Sequence, residues 1–73
     1  MHRIGSLIYD EGSQRMDIRF GLEEYYGGLH CGTGMEVMID GKWISTRIEM
    51  DINSRWYLAG VETDSLNGLI VKI

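Results

Sequence analysis

Asp40-Gly41 joins two runs of alternating apolar and polar residues, Met35–Asp40 and Lys42–Asp51. Such a pair is a strong hairpin signal, because a type I′ turn needs positive φ at both central residues. With those two as the loop, Val37 faces Ile44 and Met35 faces Thr46 on the core side. The inward set continues through Ile48 and Met50, since strand side chains alternate between faces. The opposite face then carries Glu36, Met38, Trp43, Ser45, Arg47 and Glu49.

The rest of the chain reads the same way. There are no prolines and ten glycines, and β-branched and aromatic residues dominate the apolar set. Arg3–Tyr9 is a first run, Asp10–Gln14 a polar turn and Arg15–Phe20 a second run. A loop spanning Glu11–Gln14 sets Tyr9 opposite Met16, Leu7 opposite Ile18 and Asp10 opposite Arg15. Residues 21–34 hold five glycines and form the longest irregular segment. Leu22–Tyr26 has the length for one helical turn, which could not stand alone. Asn53-Ser54 centres a later turn that pairs Met50 with Tyr57 and Ile48 with Ala59, leaving Trp56 and Leu58 on the outer face with Glu49. Glu62–Gly68 is a polar connection, and Leu69–Ile73 is a last strand that pairs back with an early one.

Seventy-three residues make one small domain, residues 1–73, and not two. A domain this short buries only about 60% of the surface its unfolded chain exposes. A ligand cavity of roughly 300 Å³ would remove much of its core, so size favours a surface-binding module over an enzyme. Edge strands are a liability in a small sheet, and closure removes them. The expected fold is therefore all-β, a small SH3-like barrel of five or six short antiparallel strands. An OB-like barrel wants a longer chain and a true helix.

No stretch approaches the roughly 18 apolar residues of a membrane span. The opening MHRIGSLIYD lacks the apolar core of a signal peptide. The single cysteine, Cys31, excludes an internal disulfide and a Cys-rich zinc site, and points to the cytoplasm.

Few residues suggest chemistry. His30 and Cys31 are adjacent, and adjacent residues of an extended segment point opposite ways, which does not make a nucleophile–base pair. His2, His30 and Cys31 lack the close ligand spacing zinc requires. Glu23, Glu24, Glu36 and Glu49 read as solvated charge rather than an acid–base pair. The glycine-rich stretch Gly27–Gly34 lacks the phosphate-binding pattern GxxxxGK[ST]. The expectation is no catalytic residue, no metal and no cofactor.

The binding candidates are Trp43, Trp56, Tyr25, Tyr26, Arg47, Glu49 and His30, because aromatics and arginine anchor most binding hot spots. Trp43 and Trp56 are separated by about 26 Å along a straight strand pair, too far for one cage. Each lines a different edge, or one caps an open end of the core.

Residues 29–60 carry an LHCG loop (Leu29–Gly32), an acidic-hydrophobic strand (Glu36–Ile39), a DGKW turn (Asp40–Trp43), a TRIEM strand (Thr46–Met50) and a closing WYLAG (Trp56–Gly60). In this order they resemble an uncharacterised family of short bacterial domains, mostly Gram-positive and often encoded near mobile elements. GSLIYDE and RMDIRF fit the same pattern more weakly. The resemblance implies a bacterial setting but no catalytic residues to carry over.

The function expected is a small non-catalytic module that binds a protein partner, or itself, through its aromatic outer face. The alternative is a nucleic-acid-binding accessory domain of a mobile element. Seven basic against eleven acidic residues, a net charge of -4, disfavour it, since phosphate binding wants a basic stripe. Only Arg15 and Arg19, joined by Arg3, could begin one.

Overall fold

The computed structural model describes residues 2–73, folded within 31 × 28 × 21 Å. Six strands form: β1 (Ile4–Asp10), β2 (Arg15–Arg19), β3 (Gly34–Ile39), β4 (Lys42–Met50), β5 (Trp56–Leu58) and β6 (Ile70–Lys72). They make one antiparallel sheet in the order β2-β1-β6-β3-β4-β5. The described residues contain no helix, and Leu22–Tyr26 does not form the helical turn.

Both early hairpins take their expected registers. Leu7 pairs with Ile18, Tyr9 with Met16 and Asp10 with Arg15. Val37 pairs with Ile44 and Met35 with Thr46 across a turn in which Asp40 and Gly41 have φ of 49° and 78°. Strand β6 enters between β1 and β3, so the last strand links the two hairpins. Leu7, Ile18, Val37, Ile48, Leu58 and Val71 are fully buried on the inner face, joined by Leu29 from the glycine-rich loop. Fully burying each side chain of this size contributes about 1.5–3 kcal/mol.

The expected barrel does not close. Strands β2 and β5 end the order and share no ladder. Residues 25–29 instead run along the free edge of β2: Tyr25 bridges Arg19, the Tyr26 N–H donates to the Ile18 carbonyl at 2.9 Å, and the Leu29 N–H donates to Met16 at 2.8 Å. That edge is covered by a loop rather than by a strand, another way to protect it. On the other side, β5 accompanies β4 only from Ile48 to Met50. Ile44 lies beyond its reach and stays 38% exposed despite facing inward.

The register of β5 also differs from expectation. Ile48 pairs with Leu58, Glu49 with Tyr57 and Met50 with Trp56. The loop holds three residues, Ile52–Ser54, closed by the Asp51 N–H donating to the Arg55 carbonyl at 2.9 Å. Ser54 takes the left-handed conformation, φ 61°, that three-residue hairpin loops require at one position. A one-residue shift exchanges the faces of a strand. Leu58 therefore enters the core, Tyr57 takes the outer face, and Trp56 packs half-buried against the core.

Gly5 lets β1 and the end of β2 lie close together. A Cβ there would lie 2.5 Å from the Arg19 carbonyl oxygen and 2.8 Å from Ile18 Cγ2. No real Cβ contact is that short, so β1 and β2 approach this closely only because the side chain is absent.

Candidate functional site

The pleat leaves one face of the sheet largely open, covered only at β2, where the loop at Gly27 meets Asp17. Two rows of side chains cross it. One runs from Ser6 (β1) to Ile70 (β6) and, continuing the register, through Met38 (β3) to Trp43 (β4). The next runs Ile4, Lys72, Glu36 and Ser45. Ile4 is 56% and Ile70 41% exposed. The Lys72 ammonium stands 4.5 Å from the centre of the Trp43 ring and 3.7 Å from Glu36 Oε1. It is thus held by a cation–π contact and a carboxylate together, and the indole lies half-buried beneath it.

Further along β4, Arg47 Nε donates to Glu49 Oε2 at 2.9 Å, and Tyr57 stands opposite Glu49. This exposed pair contributes about 0–1 kcal/mol. Trp43, Arg47 and Glu49 therefore share one strand face, as the alternation requires.

The other sequence candidates lie elsewhere. Trp56 is on the core side, and its Nε1–H donates to the Gln14 carbonyl at 3.4 Å, reaching across the gap between β5 and the β1–β2 turn. Trp56 is therefore packed, half-buried, against the core and does not stand on the outer face with Glu49. Tyr25 and Tyr26 are both nearly half exposed on the strip beside β2 and do not close over either tryptophan. His30 is exposed, and its carbonyl accepts from the Thr33 N–H at 3.0 Å and the Thr33 hydroxyl at 2.7 Å. Cys31 beside it is exposed and free.

The three basic residues that could begin a phosphate-binding stripe are already engaged. Arg3 Nη2 is 3.0 Å from Glu24 Oε2, and its guanidinium stacks 3.7 Å over Phe20. Arg15 donates to the Leu29 carbonyl, and Arg19 to the carbonyls of Gly21 and Leu22. Among the described residues no group of three His, Cys, Asp or Glu could hold a metal ion.

Sequence reasoning missed Ile4, Ile70, Lys72 and Tyr57 as members of the outer face. Ile4 follows from alternation with Leu7, whereas Ile70 and Lys72 were readable only once β6 was known to lie between β1 and β3. Tyr57 was hidden by the loop length after Asp51.

Fold and surface together define an all-β domain with one buried and one largely open sheet face. The chain belongs to the DUF5348 family, a domain of unknown function whose pattern matches residues 5–73. It is also similar to a protein from Ruminococcus gnavus known from a crystal structure, at 46% identity and a TM-score of 0.89, over 97% of this chain and 100% of that one. No curated protein matches the chain. Among the described residues, no helix is long and apolar enough to cross a membrane.

Proposed function

We propose that this domain is a small non-catalytic interaction module, working in the bacterial cytoplasm, that binds a protein partner or a second copy of itself through its outer sheet face. The observation that supports this reading is the row Ser6–Ile70–Met38–Trp43, which crosses four strands with no layer over it. Contiguous apolar surface on a small domain is a common mark of an interface. Its surroundings fit that use: Lys72, Glu36, Arg47 and Glu49 supply a charged rim of both signs around an aromatic centre. A mobile-element role for the domain rests on the family resemblance alone. A nucleic-acid partner is the weaker reading, because Arg3, Arg15 and Arg19 are bonded to the protein itself.

The test pairs Trp43→Ala with Ile70→Ser and measures solution mass and chemical crosslinking in native bacterial lysate. Loss of self-association or of a specific crosslinked partner, with the thermal transition retained, supports the reading. A wild-type protein that is monomeric and crosslinks no more than the double variant overturns it.

A further inference from the structure

We propose that two copies of this chain associate about a two-fold axis, each inserting Ile52 into an apolar cleft at the open seam of the other. The cleft is the part of the inner sheet face that the unclosed sheet leaves unsealed. Strand β5 and the β1–β2 turn do not pair, and the Trp56 Nε1–H reaches across to the Gln14 carbonyl at 3.4 Å. Two adjoining hollows lie along this gap, of about 390 and 250 Å³, and both are lined by Tyr9 and Trp56. Met50 joins them in the first, Met16 and Leu66 in the second. Tyr9 is 42% and Met50 37% exposed, although both point to the inner face.

Ile52 is the counterpart. It stands in the β4–β5 loop, 100% exposed, among the polar residues Asp51, Asn53, Ser54 and Arg55. The shape of that loop does not depend on it. Asp51 Oδ1 accepts from the N–H groups of Asn53 and Arg55 at 2.8 and 2.9 Å, so a carboxylate holds the turn. A fixed turn thus presents one branched apolar side chain in advance, which lowers the ordering cost of docking it. A singly exposed apolar residue is ordinary. This one stands two residues from Met50, beside a cleft that nothing fills.

The placement selects a second copy as the occupant. In a two-fold pair each contact is made twice, so knob and hollow must sit side by side on one surface. Here one hairpin supplies both: Met50, Ser54 and Trp56 line the hollow, and Ile52 lies between them in the chain. The charges agree. The β1–β2 turn on the far bank carries exposed Asp10 and Glu11, and among the described residues neither has a cation within 4.0 Å. The loop that bears Ile52 carries Arg55, whose side chain is 75% exposed and lies 3.8 Å from Asp51. As Ile52 enters the cleft, the incoming Arg55 meets the acidic turn, and the two-fold axis repeats both contacts. The seam lies on the inner-face side, away from Trp43, and its use does not require the outer face to be an interface.

The test is sedimentation velocity of the whole chain from about 10 µM to about 1 mM, with the Trp56 indole N–H followed by NMR over the same range. A monomer–dimer equilibrium is expected, with a dissociation constant of roughly 100 µM because the contact is small. The Trp56 indole and the Tyr9 and Met50 amides should shift with concentration. Ile52→Asp, at a fully exposed loop position where folding is not at risk, should weaken association tenfold or more. Glu11→Arg should weaken it severalfold, and adding Arg55→Glu should restore it. The proposal fails if the wild type stays monomeric throughout, or if Ile52→Asp associates as strongly as the wild type. It also fails if Trp43→Ala with Ile70→Ser abolishes the dimer while Ile52→Asp does not, since the outer face is then the interface. The reverse result supports the seam and leaves the outer-face reading to its crosslinked partner alone. A foreign protein crosslinked through position 52 of a monomeric chain overturns the proposal as well.

Discussion

The two hairpins that share β4 differ by one residue in their loops, and that residue decides which side chains are buried. The β3–β4 loop is Asp40-Gly41, two residues with positive φ, and the strands leave it with matched faces. The β4–β5 loop is Ile52–Ser54, with Asp51 paired to Arg55 through its N–H. Asp51 Oδ1 accepts from the N–H groups of Asn53 and Arg55 at 2.8 and 2.9 Å, so one carboxylate organises the whole turn. An even loop keeps the alternation that the sequence displays. An odd loop inverts it, sending Leu58 inward and Tyr57 outward.

The largest test of this contrast is Leu58→Ala against Tyr57→Ala. With Leu58 in the core, its truncation should cost about 2–5 kcal/mol. Tyr57 lies on the open face, and its loss should change stability by only about 0.5 kcal/mol. Urea midpoints that reverse this order would restore the register with Leu58 outside.

A smaller effect separates the turns themselves. Gly41→Ala places a side chain at φ 78° and should cost about 1–2 kcal/mol. Ser54→Gly relieves a non-glycine residue at φ 61° and should gain about 0.5–1 kcal/mol. Calorimetry should therefore show the two substitutions moving the transition in opposite directions.

The smallest effect is electrostatic. The Asp51 carboxyl is held below its usual range, chiefly by the Arg55 N–H; desolvation opposes this, and the Asn53 N–H and the Arg55 charge lower it further. A depressed carboxylate contributes stability that is present above its unfolded value and lost as the pH falls through its folded value. Asp51→Asn, which can keep the hydrogen bonds and drops the charge, should lower the urea midpoint slightly at neutral pH. The gap should close at acid pH, below the ordinary carboxylate range.

Alternation alone made the first two hairpins legible, down to pairs such as Leu7 with Ile18 and Val37 with Ile44, because their loops preserve it. The central position of β6 was legible only as a return to some early strand. Leu29 gave no periodic signal; it is buried because the glycine-rich segment turns back along β2. The barrel was inferred from the need to hide edges, and the molecule hides one with loop residues 25–29 instead. On the outer face, Trp43, Arg47 and Glu49 were legible by alternation. Asp17 stood on the solvent side by alternation, and only tertiary folding reveals that a loop buries it.

The position of β6 orders assembly as well as shape. Before Ile70–Lys72 is made, β1–β2 and β3–β4 are two hairpins with no shared ladder, each marginal alone in water. Until β6 docks, the inner edges of both hairpins carry unpaired backbone, and seating this one short strand satisfies both at once.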